Sequence, residues 1–400
     1  MRSFRLPAHP VCVFLLFLTL VYGPTFARNK SPNAFTLKDG DRVVFLGNSI
    51  FENDFQYGYL ELALTTRFAD KGITFRNLGW TGDNVWGEAR STYTNPPTPY
   101  EHLMEDITKA APTVVFLGYG GVEAQEGQAG VPRFKEGLNK LIDKIDALGA
   151  KTVLLSTIPV FSTDTSQHVG SRNADLQLYS KAISEVAAQR SKQFIDIYQP
   201  IETLVKKENI LENTVHLNEA GYYHLALILE QKLGLIDEKV ETNIDAAKVS
   251  KPASGSAILS FKRLPQFLPL PWPADAPGST AQLETVRIRG LKKGFYTLFA
   301  GHEQVATASA KDWERGVDII QGPPFEQSAR VREMIIRKNE LHFFQYRPMN
   351  QTYITGFRKY EQGRHVKGLE EQNILIKWLE GQIILNSEPK EVVYELRKLE

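Results

Sequence analysis

The chain has 400 residues, 42% hydrophobic and 23% charged, and its 47 basic and 46 acidic side chains leave a formal net charge of +1. That composition excludes a disordered or fibrous chain, and the charge balance supplies no global field for nucleic acid or an anionic membrane. The length suggests two domains rather than one core.

Arg2 and Arg5 come first, then an apolar run from Val11 to Tyr22, then Thr25-Phe26-Ala27. A basic start, a short apolar core and a small residue at its end describe a secretory signal peptide over 1–27. The run holds 12 residues, against about 20 for a spanning helix. The mature chain is therefore expected to be secreted or periplasmic, with no stable membrane span. The only cysteine, Cys12, lies near the start of the apolar run, where a lipidated cysteine would not stand. Cleavage leaves no thiol, so neither a disulfide nor a thiolate metal site is expected.

From about Phe35 to Leu235 short apolar runs alternate with amphipathic stretches. Strands are predicted at 42–46, 73–77, 113–117, 152–156 and 194–197. Between the third and fourth, Phe134, Leu138, Leu141, Ile142, Ile145 and Leu148 form a helical stripe. Further helices are predicted over 179–188 and 219–233, the last with Asn218 as N-cap. Alternating strands and helices imply βαβ units and a mostly parallel sheet covered on both faces. In such sheets sites form at the carboxyl ends of strands.

The texture changes after Leu235. Residues 250–282 carry six prolines and read as a loop-rich connection. Alternation at 285–289, turn residues at 290–294, the run 295–299 and a strand around Val305 suggest a small antiparallel β unit. From Phe325 onward the pattern turns helical, at 331–341 and 370–385. The expected organisation is a signal peptide over 1–27, an α/β domain over 28–240, a linker and small β unit over 241–310, and a mostly helical region over 311–400. So small a β unit is expected to pack on the α/β domain or on the helical tail.

Four segments could carry chemistry. Leu46-Gly47-Asn48-Ser49 ends the first strand, and its serine would project into a cleft. Asn77-Leu78-Gly79-Trp80-Thr81-Gly82-Asp83 follows the second strand, where glycine-rich backbone can aim N–H groups at an oxyanion. Gly118-Tyr119-Gly120-Gly121-Val122-Glu123 follows the third. Asn213-Thr214-Val215-His216 precedes the last helix. Taken singly, each is an ordinary turn, or in the last case a structural histidine. There is no Gly-x-Gly-x-x-Gly or P-loop pattern to suggest nucleotide binding.

Taken in this order, the four segments resemble the four blocks of the SGNH/GDSL hydrolase family over about 41–233. The likeness is strongest to a bacterial, planctomycete-type group with Gly-Asn-Ser and His-Leu-Asn-Glu-Ala-Gly-Tyr elements, which 216–222 match without a break. The tail, with Arg347-Pro348-Met349-Asn350-Gln351-Thr352-Tyr353 and Gly356-Phe357-Arg358, resembles that group's tail. The resemblance implies a three-layer α/β/α domain with a mostly parallel five-stranded sheet. It implies Ser49 as nucleophile, His216 as base, and the N–H groups of Ser49 and Gly82 as an oxyanion hole. It implies acyl transfer from an ester to water with no cofactor and no metal, on a small-molecule or glycan ester.

Two positions depart from the family pattern. Val122 stands where the family has an asparagine that donates to the oxyanion, a loss of about 10²–10³ in turnover in a comparable hole. Asn213 stands where the family has the aspartate that orients the histidine; the matching change in a serine triad cost about 10⁴. A nearby acid, Glu212 or Glu123, could compensate, although neither sits in the family's register. The expected activity is therefore a weak or specialised ester hydrolase, and the alternative is a catalytically degenerate domain that binds, for example, a glycan.

Overall fold

The computed structural model describes residues 35–90, 97–162, 169–235, 240–249, 257–273, 283–347 and 366–399. The signal-peptide segment, Cys12 and the tail motif beyond Arg347 lie outside them.

The first half runs β1 Arg42–Gly47, α1 Ser49–Glu52, α2 Tyr59–Arg67, β2 Thr74–Asn77, α3 Pro99–Ala110, β3 Val114–Gly118, α4 Gly127–Ala147, β4 Lys151–Leu155, α5 Val169–Gln189, β5 Gln193–Ile195, α6 Tyr198–Val205 and α7 Glu219–Lys232. The strands form one sheet in the order β2-β1-β3-β4-β5, every neighbouring pair parallel. This is the three-layer α/β/α domain expected from the sequence. Because strand side chains alternate, Val43 and Phe45 enter one core with α2 and α7, while Val44 and Leu46 enter another with α3, α4 and α5. A strand buried on both faces reads as a continuous apolar run, which is why these strands were legible.

Local chemistry fixes the helix starts. Thr98 and Glu101 form a capping box ahead of α3, with Pro99 at its first position. Asn218 caps α7 by accepting the Gly221 N–H at 2.9 Å, as expected.

The second half runs β6 Glu241–Asp245, β7 Ala257–Arg263, β8 Thr285–Arg289, β9 Phe295–Ala300, β10 Glu303–Ser309, α8 Ala310–Arg315, β11 Val317–Asp318, α9 Pro323–Tyr346, α10 Val366–Ser387 and β12 Val392–Lys398. Two small sheets result, β10-β9-β12-β7 and β11-β8-β6. They share a core that includes Leu259, Ile288, Leu298, Trp313 and Leu396.

Four strands add to the sequence reading. β6 and β7 lie in the span expected to hold a linker and small β unit, ahead of its predicted strands, and β11 and β12 lie in the region expected to be mostly helical. β12 inserts between β7 and β9, so the end of the chain completes a sheet begun about 130 residues earlier. The helix α9 does not stand apart either. Its Val331 and Ile335 belong to the first core of the α/β domain, and its Lys338 is buried against Glu61 of α2 at 2.6 Å.

Candidate active site

The strand order reverses between β1 and β3, the place where open parallel sheets form clefts. Ser49 follows β1 as the first residue of α1, whose N-cap Asn48 accepts the Ile50 N–H at 3.3 Å. The second segment is tied to the same strand end, because the Leu78 N–H donates to Phe45 and the Trp80 N–H to Gly47. Only glycine fits at position 79, since a Cβ there would collide with the Glu52 backbone. Gly82 turns with φ +80°, in the left-handed region. Neither the Ser49 nor the Gly82 N–H has a backbone acceptor among the described residues, so both are free to donate to a ligand.

His216 arrives from the far end of the domain. The Tyr222 hydroxyl, in the first turns of α7, donates to the Ile50 carbonyl at 2.9 Å and ties α7 to α1. The Phe161 N–H donates to the Thr214 carbonyl at 3.0 Å and holds the histidine loop against the segment after β4. As a result Ser49, Gly82, Val122 and His216 all line one cavity of about 220 Å³. Ser49 and His216 are half-buried in it.

Asn213 is exposed and lies beside the ring rather than in the cavity wall. Its carbonyl oxygen accepts the N–H groups of Val215 at 3.0 Å and His216 at 2.9 Å. Those two bonds fix which way the amide faces, so its NH₂ meets His216 Nδ1 at 3.1 Å. An amide nitrogen only donates. His216 Nδ1 must therefore be the acceptor, and the neutral ring carries its proton on Nε2. A base that takes a proton through Nε2 needs the opposite tautomer.

Neither Glu123 nor Glu212 hydrogen-bonds the His216 ring among the described residues. Glu123 is buried and accepts the Val85 N–H at 2.9 Å and the Gly120 N–H at 2.8 Å, bracing the third segment against the second. Burial pushes its carboxyl up to about 7. The Glu212 side chain makes no hydrogen bond with His216 among the described residues, and its charge bears instead on the phenols of Tyr57 and Tyr222. Among the described residues there is no group of three or more His, Cys, Asp or Glu side chains that could hold a metal.

Three contributors were not read from the sequence. Arg172, at the start of α5, lines the cavity and donates to the Gly121 carbonyl at 2.7 Å. Beneath the second segment, buried Arg90 binds Asp83 at 2.7 Å, Asp106 at 3.0 Å and the Leu78 carbonyl at 3.0 Å. Arg347, at the end of α9, binds Glu52 at 2.8 Å and lies 3.9 Å from the centre of the Trp80 ring. Glu52 in turn accepts the Thr81 N–H. Arg172 and Arg347 find their partners in distant parts of the chain, 51 and 295 residues away, whereas these three Arg90 partners lie 7, 12 and 16 residues away.

Residues 45–223 match the GDSL-like Lipase/Acylhydrolase family. The matched span takes in Ser49, Gly82, Val122 and His216. Among solved structures, BT4096, a gut microbial diltiazem-metabolizing enzyme, is similar at 19% identity and a TM-score of 0.70, over 92% of this chain and 99% of that one. A catalytic mutant of Axe2, an acetylxylan esterase from Geobacillus stearothermophilus, is similar at 16% identity and a TM-score of 0.41, over 51% of this chain and 100% of that one. No curated protein matches the sequence. The likeness to BT4096 covers 92% of this chain, so the fold of the α/β domain together with its C-terminal additions recurs in another protein. No helix among the described residues is long and apolar enough to cross a membrane.

Proposed function

We propose that this chain is a secreted carboxylic-ester hydrolase with Ser49 as nucleophile and His216 as base. The observation that carries the reading is the meeting of Ser49, Gly82 and His216 on one cavity at the carboxyl edge of a parallel sheet. Ser49 Oγ attacks the ester carbonyl carbon as its proton passes to His216 Nε2. The N–H groups of Ser49 and Gly82 receive the developing oxyanion. His216 returns the proton to the leaving alcohol, and water then attacks the acyl-serine by the same route. Neither a cofactor nor a metal takes part.

Turnover is low in this reading for two physical reasons. Val122 offers no side-chain donor to the oxyanion. The Asn213 amide holds His216 in the tautomer that presents a proton to Ser49 rather than a lone pair. A second reading, a domain retained for binding a glycan or small ester without turnover, draws its support from that same amide.

A fluorophosphonate probe tests the choice. Covalent labelling of the parent at Ser49, with loss of labelling and of aryl-ester hydrolysis in Ser49→Ala, is the expected result. Hydrolysis that persists in Ser49→Ala rejects the mechanism, and an unlabelled, inactive parent favours the binding reading. Export is tested by the exported chain's N-terminus, expected near Arg28; an intact Met1 start rejects it.

A further inference from the structure

We propose that the cavity beside Ser49 selects esters carrying a carboxylate, and that Arg172 is the residue that recognises it. This rests on the hydrolase reading above and adds the class of ester, one whose acyl or alcohol part is anionic.

The cavity wall is largely uncharged. Val122, Ile158, Val160 and Leu176 supply apolar surface, and no aspartate or glutamate lines it among the described residues. Among the described residues Arg172 is the one permanent charge on that wall. One of its nitrogens, Nη2, is fixed by the Gly121 carbonyl at 2.7 Å, which leaves the other N–H groups of the fork without a hydrogen-bond partner among the described residues. The neighbouring Asn173 holds the start of α5 in place by bonding both the N–H and the carbonyl of Val160, each at 2.9 Å. The guanidinium is thus positioned from both ends.

Asp175 is the acid whose field reaches Arg172 most strongly, yet the two form no ion pair among the described residues. Partial burial makes the charge costly and draws the guanidinium's pKa down, although an arginine remains protonated. A half-buried fork with free N–H groups and no carboxylate of its own is suited to accept one from a ligand through parallel charge-assisted bonds. A brace for the Gly121–Val122 turn would need only the single bond to the carbonyl.

The test compares matched esters. 4-Nitrophenyl hemisuccinate against 4-nitrophenyl butyrate places the charge on the acyl side, and 3-acetoxybenzoate against phenyl acetate places it on the alcohol side. The parent is expected to prefer the anionic member of one pair by about 10- to 100-fold in kcat/KM, the range of a charge-assisted hydrogen bond. That preference should shrink as salt rises to about 0.5 M. Arg172→Gln should bring the ratio near one, with Arg172→Lys between. A purely structural brace would lower both members of each pair equally and leave the ratio unchanged, which would overturn the proposal.

Binding of the same esters to Ser49→Ala, followed by ligand-observed NMR, separates the two readings. Hydrolysis without an anionic preference rejects the role of Arg172 and leaves the hydrolase intact. No hydrolysis of any ester, but binding of an anionic one that is lost in Ser49→Ala/Arg172→Gln, keeps the anion site and rejects turnover. Neither hydrolysis nor Arg172-dependent binding rejects both.

Discussion

The Asn213 side chain grips His216 twice, receiving its backbone N–H at 2.9 Å and donating to its ring Nδ1 at 3.1 Å. A carboxylate in the same place would keep the first bond with one oxygen and accept an Nδ1 proton with the other. The amide cannot, because turning it over would aim its NH₂ at the N–H groups of Val215 and His216. For the proposed mechanism the amide places the ring's proton on the wrong nitrogen while leaving the ring in position.

Asn213→Asp should therefore raise ester turnover, by up to about 10⁴ if the amide imposes the full tautomer penalty. Nitrogen NMR of His216 gives a check independent of turnover: the proton should sit on Nε2 in the parent and on Nδ1 in the variant. Val122→Asn should add a donor to the oxyanion hole and raise turnover by a further factor of up to about 10³. The two gains should be coupled, since both act on one transition state. An unchanged tautomer in Asn213→Asp would reject the account of the amide.

Arg347 acts on the site at second hand. It holds Glu52, which accepts the Thr81 N–H next to Gly82, and it lies over Trp80 in the same turn. Arg347→Ala should release that turn and lower kcat by about 10-fold or more, with KM little changed, because a small misplacement of a donor acts on the transition state. Arg347→Lys keeps the charge and should recover part of the loss. Equal loss in both variants, with KM rising, would assign Arg347 to substrate binding instead.

The α9 anchor can be tested through stability. Lys338 bonds both carboxylate oxygens of Glu61, at 2.7 and 2.6 Å, with both residues buried. Burial pushes the Glu61 carboxyl up and the Lys338 ammonium down. Removing one partner leaves a buried group unpaired, so Lys338→Met should cost about 3–5 kcal/mol in denaturant unfolding. Lys338→Met/Glu61→Leu should regain most of that. A double variant no more stable than the single one would show that the pair itself, rather than the stranded carboxylate, sets the cost.

Glu123 gives a pH signature. Its carboxyl lies near 7 in the folded chain, chiefly through burial, against 4.5 in the open. Between those values the folded state binds more protons than the unfolded one. The stability it contributes is fully present below about pH 4.5 and is lost as pH rises through about 7, a change on the order of 3 kcal/mol. Unfolding free energies measured from pH 4.5 to 8 should fall more steeply in the parent than in Glu123→Gln. Parallel curves would reject the raised value.

Much of the fold was legible because burial on both faces writes each central strand as an unbroken apolar run, as in Val43-Val44-Phe45-Leu46. Ser49, Gly82 and His216 were legible because the turn after a strand and the cap before a helix leave local marks. β6 and β7 were missed because a strand exposed on one face carries polar residues that read as loop. β12 was missed although Val392, Tyr394 and Leu396 alternate inward, because the preceding helical pattern set the expectation.

The sequence by itself determined the residue types at the candidate site, including the two that depart from the family pattern: the Val122 side chain has no donor, and the Asn213 amide carries no charge. Only the tertiary structure decided which way the Asn213 amide faces, that Glu123 is a buried brace, and that Arg172 and Arg347 reach the site from α5 and α9. Hydrogen-bond direction, burial and pairing are set by the surrounding fold: Arg172 meets Gly121 across 51 residues and Arg347 meets Glu52 across 295, and no pattern in the sequence encodes those partners.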